Sequence, residues 1–152
     1  MLPVLYNNVK RIVQTPDHVM ILNEMVHDAR VIRISGKHAP DDIRKWLGDS
    51  VGHWEGDTLV VETTNFTDRP ALSGATRELK VTERFTMTDA DTILYNFTVD
   101  DPGAWSGPWS GEFPLPRTDQ RVFEYACHEG NYSMGNILRG ARLLEDEARN
   151  AN

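Results

Sequence analysis

The stretch that most constrains the fold is residues 50–66, SVGHWEGDTLVVETTNF. Gly56-Asp57 sits between two runs rich in aromatic and β-branched residues, and Gly and Asp both tolerate the positive φ of a tight hairpin turn. Beyond the turn, Leu59, Val61 and Thr63 alternate with Val60, Glu62 and Thr64, the period of a strand with two distinct faces. A hairpin of this kind needs further strands along its edges. The rest of the chain supplies them in one format: short strand, polar turn, strand.

Residues 9–15 read as a first strand, stopped by the turn pair Pro16-Asp17. Residues 18–26 (HVMILNEMV) read as a second, too apolar to alternate cleanly, and 29–34 as a third joined through His27-Asp28. Pro40, Asp41 and Asp42 carry helix-start chemistry and predict a short helix over 41–47. Residues 68–78, with Pro70 and Gly74, read as the one long loop. Residues 79–87 place Leu79, Val81, Glu83, Phe85 and Met87 on one face, and the returning strand answers with Ile93, Tyr95, Phe97 and Val99. Prolines and glycines interrupt 105–116, which confines any strand there to an edge or a bulge. Residues 122–127 read as a last strand. Residues 134–148 read as a closing helix with Ile137, Leu138, Ala141 and Leu144 on one face.

This count predicts a single, mainly β domain over residues 1–152: an antiparallel up-and-down β-barrel, lipocalin-like, with a C-terminal helix. A two-layer β-sandwich is the competing architecture. A meander without an obvious crossover, and polar residues interrupting the inward faces, favour a barrel around a cavity.

Charge and composition narrow the partners. With 152 residues, 39% hydrophobic, 26% charged and a net charge of -7, the chain has the profile of one folded domain with an acidic surface. Such a surface repels phosphate backbones, so no nucleic-acid partner is expected. No apolar run approaches the roughly 20 residues of a membrane span, so no membrane partner is expected either. Cys127 is the sole cysteine, which rules out an internal disulfide. The five histidines show no metal-binding spacing, and phosphate-cradling glycine loops are absent. The expectation is therefore no metal and no cofactor, with a small molecule as ligand or substrate and a homodimer as a possible assembly.

The segments YNN, IVQTPD, ILNEMVHDARVI, GDSVGHWEGDTLVVETTNFTD, VTERF, DADTILYNFTVDDP and EYACHEGNY resemble a family of uncharacterised bacterial proteins, often exported. The GHWEGDTLVVET segment is its specific mark, and the resemblance covers nearly the whole chain. Members tend to be longer at the N-terminus, so the resemblance implies that the chain corresponds to their C-terminal part, or to a shortened relative, beginning near Leu2. It transfers no catalytic residue. The start MLPVLYNNVKR lacks the regions of a signal peptide, while the relatives are often exported, so periplasmic and cytoplasmic locations both stand. Gly52-His53-Trp54 also resembles the GxW element of lipocalin-type barrels.

Glu83 is the sharpest candidate for chemistry. It shares a face with Leu79, Val81, Phe85 and Met87, so its carboxylate is paired, or desolvated with a raised pKa, or turned to a wet cavity. A raised pKa would suit a general acid or base; Arg30 or Arg33 would be the partner in a structural ion pair. Tyr95 faces the same interior, as a ligand donor or as a core tyrosine with its hydroxyl at the rim. Glu24, His27, Asp28 and Arg30 form a second constellation, in which His27 and Asp28 cooperate only if the backbone turns there. His53, Trp54 and Glu55 form a third, and Cys127-His128-Glu129-Gly130-Asn131 a fourth. Trp54, Trp105 and Trp109 could wall a pocket. The expected catalytic set is Glu83, His27, Asp28 and His53, with Tyr95, Arg30, Glu24, Trp54, Trp105 and Trp109 binding the ligand. Two functions follow: a cofactor-independent acid–base enzyme (lyase, isomerase or hydrolase) on an apolar or aromatic substrate, or a non-catalytic ligand-binding or oligomerisation module of an exported bacterial protein. The carboxylate on an apolar face favours the enzyme.

Overall fold

The computed structural model describes residues 7–125 and 132–150. The expected hairpin is its centre: strands β4 (Asp49–Glu55) and β5 (Thr58–Thr64) pair from Asp49 with Thr64 to Glu55 with Thr58. Gly56 turns between them at φ +58°, a conformation that costs glycine no side-chain clash. Before this hairpin come β1 (Lys10–Gln14), β2 (His18–Asn23) and β3 (Ala29–Ile34); after it come β6 (Lys80–Asp89), β7 (Thr92–Asp100) and β8 (Trp109–Pro116). The eight strands lie side by side in chain order as one sheet curled into a half-barrel, and a helix, α1 (Ser133–Asn150), follows.

The curl follows from the alternation. Leu59, Val61, Phe85, Tyr95, Phe97 and Val99 point to the concave side and are nearly sealed from water. Tyr95 is the hub of an aromatic row, with Phe85, Phe97 and Phe113 rings at 4.9, 5.7 and 5.1 Å. Such offset and edge-on contacts add to plain burial. Gly52 lets two strands close on this side, because a Cβ there would lie 2.9 Å from Ile32 Cγ2.

Four local expectations need correction. The meander is broken once: β3 and β4 pair in parallel, Ile32 with Ser50 and Ile34 with Gly52, so residues 35–48 carry the chain back along the sheet. The predicted helix over 41–47 does not form. Its backbone is spent elsewhere, with Lys45 N–H donating to Asn65 O and an isolated bridge joining Lys45 to Phe66. Too short to nucleate on its own, the segment follows its tertiary partners. The second strand stops at Asn23, because Val26 and His27 turn the chain at φ +63° and +59°. Residues 122–125 join no ladder, and the remainder of that expected strand, with the Cys127 to Asn131 constellation, lies outside the described residues. By contrast β8, with Pro114 and Pro116, is an edge strand as its prolines require.

The parallel step has a geometric consequence. It leaves β1 and β8, the two free edges, running in the same direction. Residues 117–123 then cross from one end of the sheet to the other beside this seam. Arg117 N–H is bonded to Asp91 O near the β6–β7 turn, and Phe123 N–H to the buried Glu24 carboxylate near the β2–β3 turn. The described residues of α1, including Ile137, Leu138 and Leu144, are exposed. No described helix is long and apolar enough to cross a membrane.

Candidate functional site

The concave face holds a cavity of about 390 Å³, within the range of small-molecule sites. Its walls are apolar, with Leu79, Val81, Phe97, Val99 and Trp109 among them. One polar group stands in the middle of this surface. Glu83 lies on β6 opposite Val61 of β5 and Phe97 of β7, which fixes it inward by strand register. Arg30 reaches it from β3 across the hollow, although β4 and β5 separate the two strands in the sheet.

The contact is bidentate. Arg30 Nη1 donates to Glu83 Oε2 at 2.5 Å and Nη2 to Oε1 at 3.1 Å, and Tyr95 Oη donates to Oε1 at 2.8 Å. The Glu83 side chain is 1% exposed and that of Arg30 13%. Burial alone pushes the Glu83 carboxyl up, but the adjacent guanidinium and the two sets of hydrogen bonds outweigh it and hold it below the ordinary carboxylate value. Arg30 is correspondingly held charged, and burial beside a carboxylate pushes the Tyr95 hydroxyl well up. The centre is therefore an ion pair plus a neutral phenol. Of the expected outcomes for Glu83, it is paired, with Arg30, and it also lines a cavity.

Other candidates fall where the curl sends them. Asp28 lines the cavity beside Met25 and Val26, next to the left-handed turn. A β-branched residue at positive φ is strained, and such strain is concentrated at working sites. His27 is exposed and does not line the cavity; the turn does not bring it to Glu83. Glu24 is 4% exposed and accepts from Phe123 N–H at 3.0 Å, so it ties down the segment after β8. His53 is not joined to Glu83 either. It stands on the outer face with Glu55, at 3.2 Å, and Glu55 is in turn bonded to Arg84. Trp54 is 45% exposed near the hairpin turn and does not wall the cavity. Trp109 does line it, packed edge-on against Phe97 at 5.6 Å, and Trp105 backs Trp109 at 5.7 Å.

The sequence reading missed two groups. Lys10 lines the cavity, half-buried, and has no ion-pair or hydrogen-bond partner for its ammonium among the described residues. Desolvation lowers its pKa. No sequence signal pointed to it, because its period-two neighbour Ile12 is 40% exposed and lines the seam instead of the inner cavity. Asn23, paired with Lys10 across the first hairpin, also lines the cavity; its buried Oδ1 and the Trp109 Nε1–H have no partner among the described residues. The second missed group is a knot on Asp49. Its carboxylate takes Arg33 at 3.0 and 2.8 Å, Ala39 N–H at 3.0 Å, His38 at 3.2 Å and Lys45 at 3.3 Å, and is held far below its ordinary pKa, first by Arg33. This knot fastens residues 35–48 to the sheet.

A second cavity, about 550 Å³, opens along the seam between β1 and β8, lined by Ile12, Ile93, Phe113 and Leu115; it shares Asn8 and Lys10 with the inner one. Among the described residues no three His, Cys, Asp or Glu side chains converge as metal ligands would. No protein-family model, curated protein or solved structure matches this chain.

Proposed function

We propose that this protein binds a small, largely apolar molecule on the concave face of its curled sheet, as a non-catalytic binding module of lipocalin-like character. The observation that carries the reading is the Arg30–Glu83–Tyr95 group set among the apolar side chains Leu79, Val81, Phe97, Val99 and Trp109 in a cavity of about 390 Å³. Apolar walls supply affinity through burial, while a few fixed polar groups orient the ligand. Glu83 takes one hydrogen from each terminal nitrogen of Arg30, which leaves the side edge of the guanidinium, including Nε–H, for an acceptor on the ligand.

The ion pair supports binding over acid–base catalysis. A general acid or base works best with a pKa near the operating pH. Glu83 is shifted the other way, and the expected helpers His27 and His53 stand apart from it. The test is Nile red fluorescence with wild type and with Val81→Trp, which fills the cavity from β6. The wild type should enhance and blue-shift the dye, and the filled variant should lose that response while keeping its far-UV circular dichroism. Equal, weak responses from both proteins would refute the reading.

A further inference from the structure

We infer that the ligand carries a single carboxylate, seated between the Lys10 ammonium and the open edge of the Arg30 guanidinium, with its apolar body along Phe97, Val99 and Trp109. This rests on the cavity being the binding site. Among the described residues, four side chains that carry charge at neutral pH line that cavity, Lys10, Asp28, Arg30 and Glu83. Arg30 and Glu83 neutralise each other. Neither Lys10 nor Asp28 has an ion pair among the described residues, so the two do not satisfy one another within contact distance.

Lys10 is the unusual member. Lysine heads seldom give up water without a counter-charge. Here the side chain is half-buried on an edge strand and lines both the inner cavity and the one along the seam. Desolvation is the sole cause of its shifted pKa, with no carboxylate acting on it. An anion arriving from solvent supplies the missing partner. Arg30 adds fixed N–H donors pre-aimed by Glu83, and planar N–H forks match carboxylate geometry. The ligand's charge is limited to one, because Lys10 is, among the described residues, the single cation there without a carboxylate partner and Asp28 repels any further negative charge brought into the same space.

The experiment displaces Nile red with decanoate and with decanol, which share a chain and differ in the head group. Wild type should prefer decanoate by about tenfold or more, the scale of one charge-assisted hydrogen bond. Lys10→Gln should cut that ratio several-fold, read as decanoate affinity over decanol affinity within the same variant, with the Arg30 donors keeping the remainder. Val81→Trp should bind neither compound when each is titrated directly by calorimetry. Equal affinity for the two compounds in wild type, or an unchanged preference in Lys10→Gln, overturns the inference and leaves the cavity reading standing. Absence of Nile red binding in wild type overturns both.

Discussion

Replacing Glu83 by Gln tests the centre of the molecule most directly. The change keeps shape and removes one charge, so Arg30 is left 13% exposed, facing apolar walls with no counter-ion. Removing one partner of a buried ion pair typically costs about 3–5 kcal/mol, because the remaining charge is uncompensated. Tyr95 still finds an oxygen in the amide, so its hydroxyl adds little to that figure. For a domain with a total stability of about 5–15 kcal/mol, the loss is a large share. Arg30→Met combined with Glu83→Leu should behave differently. Both members of the ion pair are gone and neither leaves an uncompensated partner, so the residual cost should be about 1–3 kcal/mol, from the Tyr95 hydroxyl losing its acceptor. Adding Tyr95→Phe should recover most of it. Urea unfolding at neutral pH, followed through the tryptophans, measures all four proteins on one scale. A Glu83→Gln variant within about 1 kcal/mol of wild type would refute the reasoning, since a buried lone guanidinium cannot be that cheap. A double variant as unstable as the single one would refute it too, by showing that the cost is packing and not charge.

The acid limb of stability should follow from the same groups. Glu83 and Asp49 are both held below their ordinary values of 4.5 and 3.8, so the unfolded chain binds more protons; stability should be full above that range and fall as pH drops through it, seen as a declining urea midpoint. Asp49→Asn should cost about 2–3 kcal/mol, less than a fully buried pair because Arg33 is partly exposed, and should raise hydrogen exchange across residues 35–48. Glu24→Ala frees Phe123 N–H, and trypsin should then cut faster after Arg117 and Arg121 with the sheet intact by circular dichroism. Gly56→Ala should cost about 1 kcal/mol, because φ there is +58°, and a melting temperature unchanged from wild type would count against it.

How much of this was legible depended on whether a signal was local. The central hairpin and the pairing of residues 79–87 with 93–99 were readable because a period of two sorts side chains by face, and burial then fixes the register. That same period put Glu83 and Tyr95 inward together. What period two cannot give is which non-adjacent strands meet across a curl, so Arg30 could be paired with Glu83 only as one option beside Arg33. The structure sends Arg33 to Asp49. Nor could it give the parallel β3–β4 step, which depends on how residues 35–48 are fastened by Asp49. His53 was misleading because its neighbours Trp54 and Glu55 look like a site in one dimension. On the outer face His53 and Glu55 form a surface chain to Arg84, and alternation turns Trp54 the other way.

A chain shaped only by stability would not keep what lines this hollow. A buried ion pair is at best a weak stabiliser, and apolar replacements of similar volume are often as good or better. The sheet nevertheless carries one at the centre of its concave face, beside unfilled space and beside polar atoms on Asn23 and Trp109 that lack partners among the described residues. Each feature lowers stability, and all of them fall on one surface. The strained turn at Val26-His27 borders the same place. A sandwich or closed barrel of this length could fill that volume with leucine and valine. A stability-raising substitution that fills the hollow, such as Val81→Trp, should therefore cost the protein its ligand, which is the trade-off expected where a site is held open against its own packing.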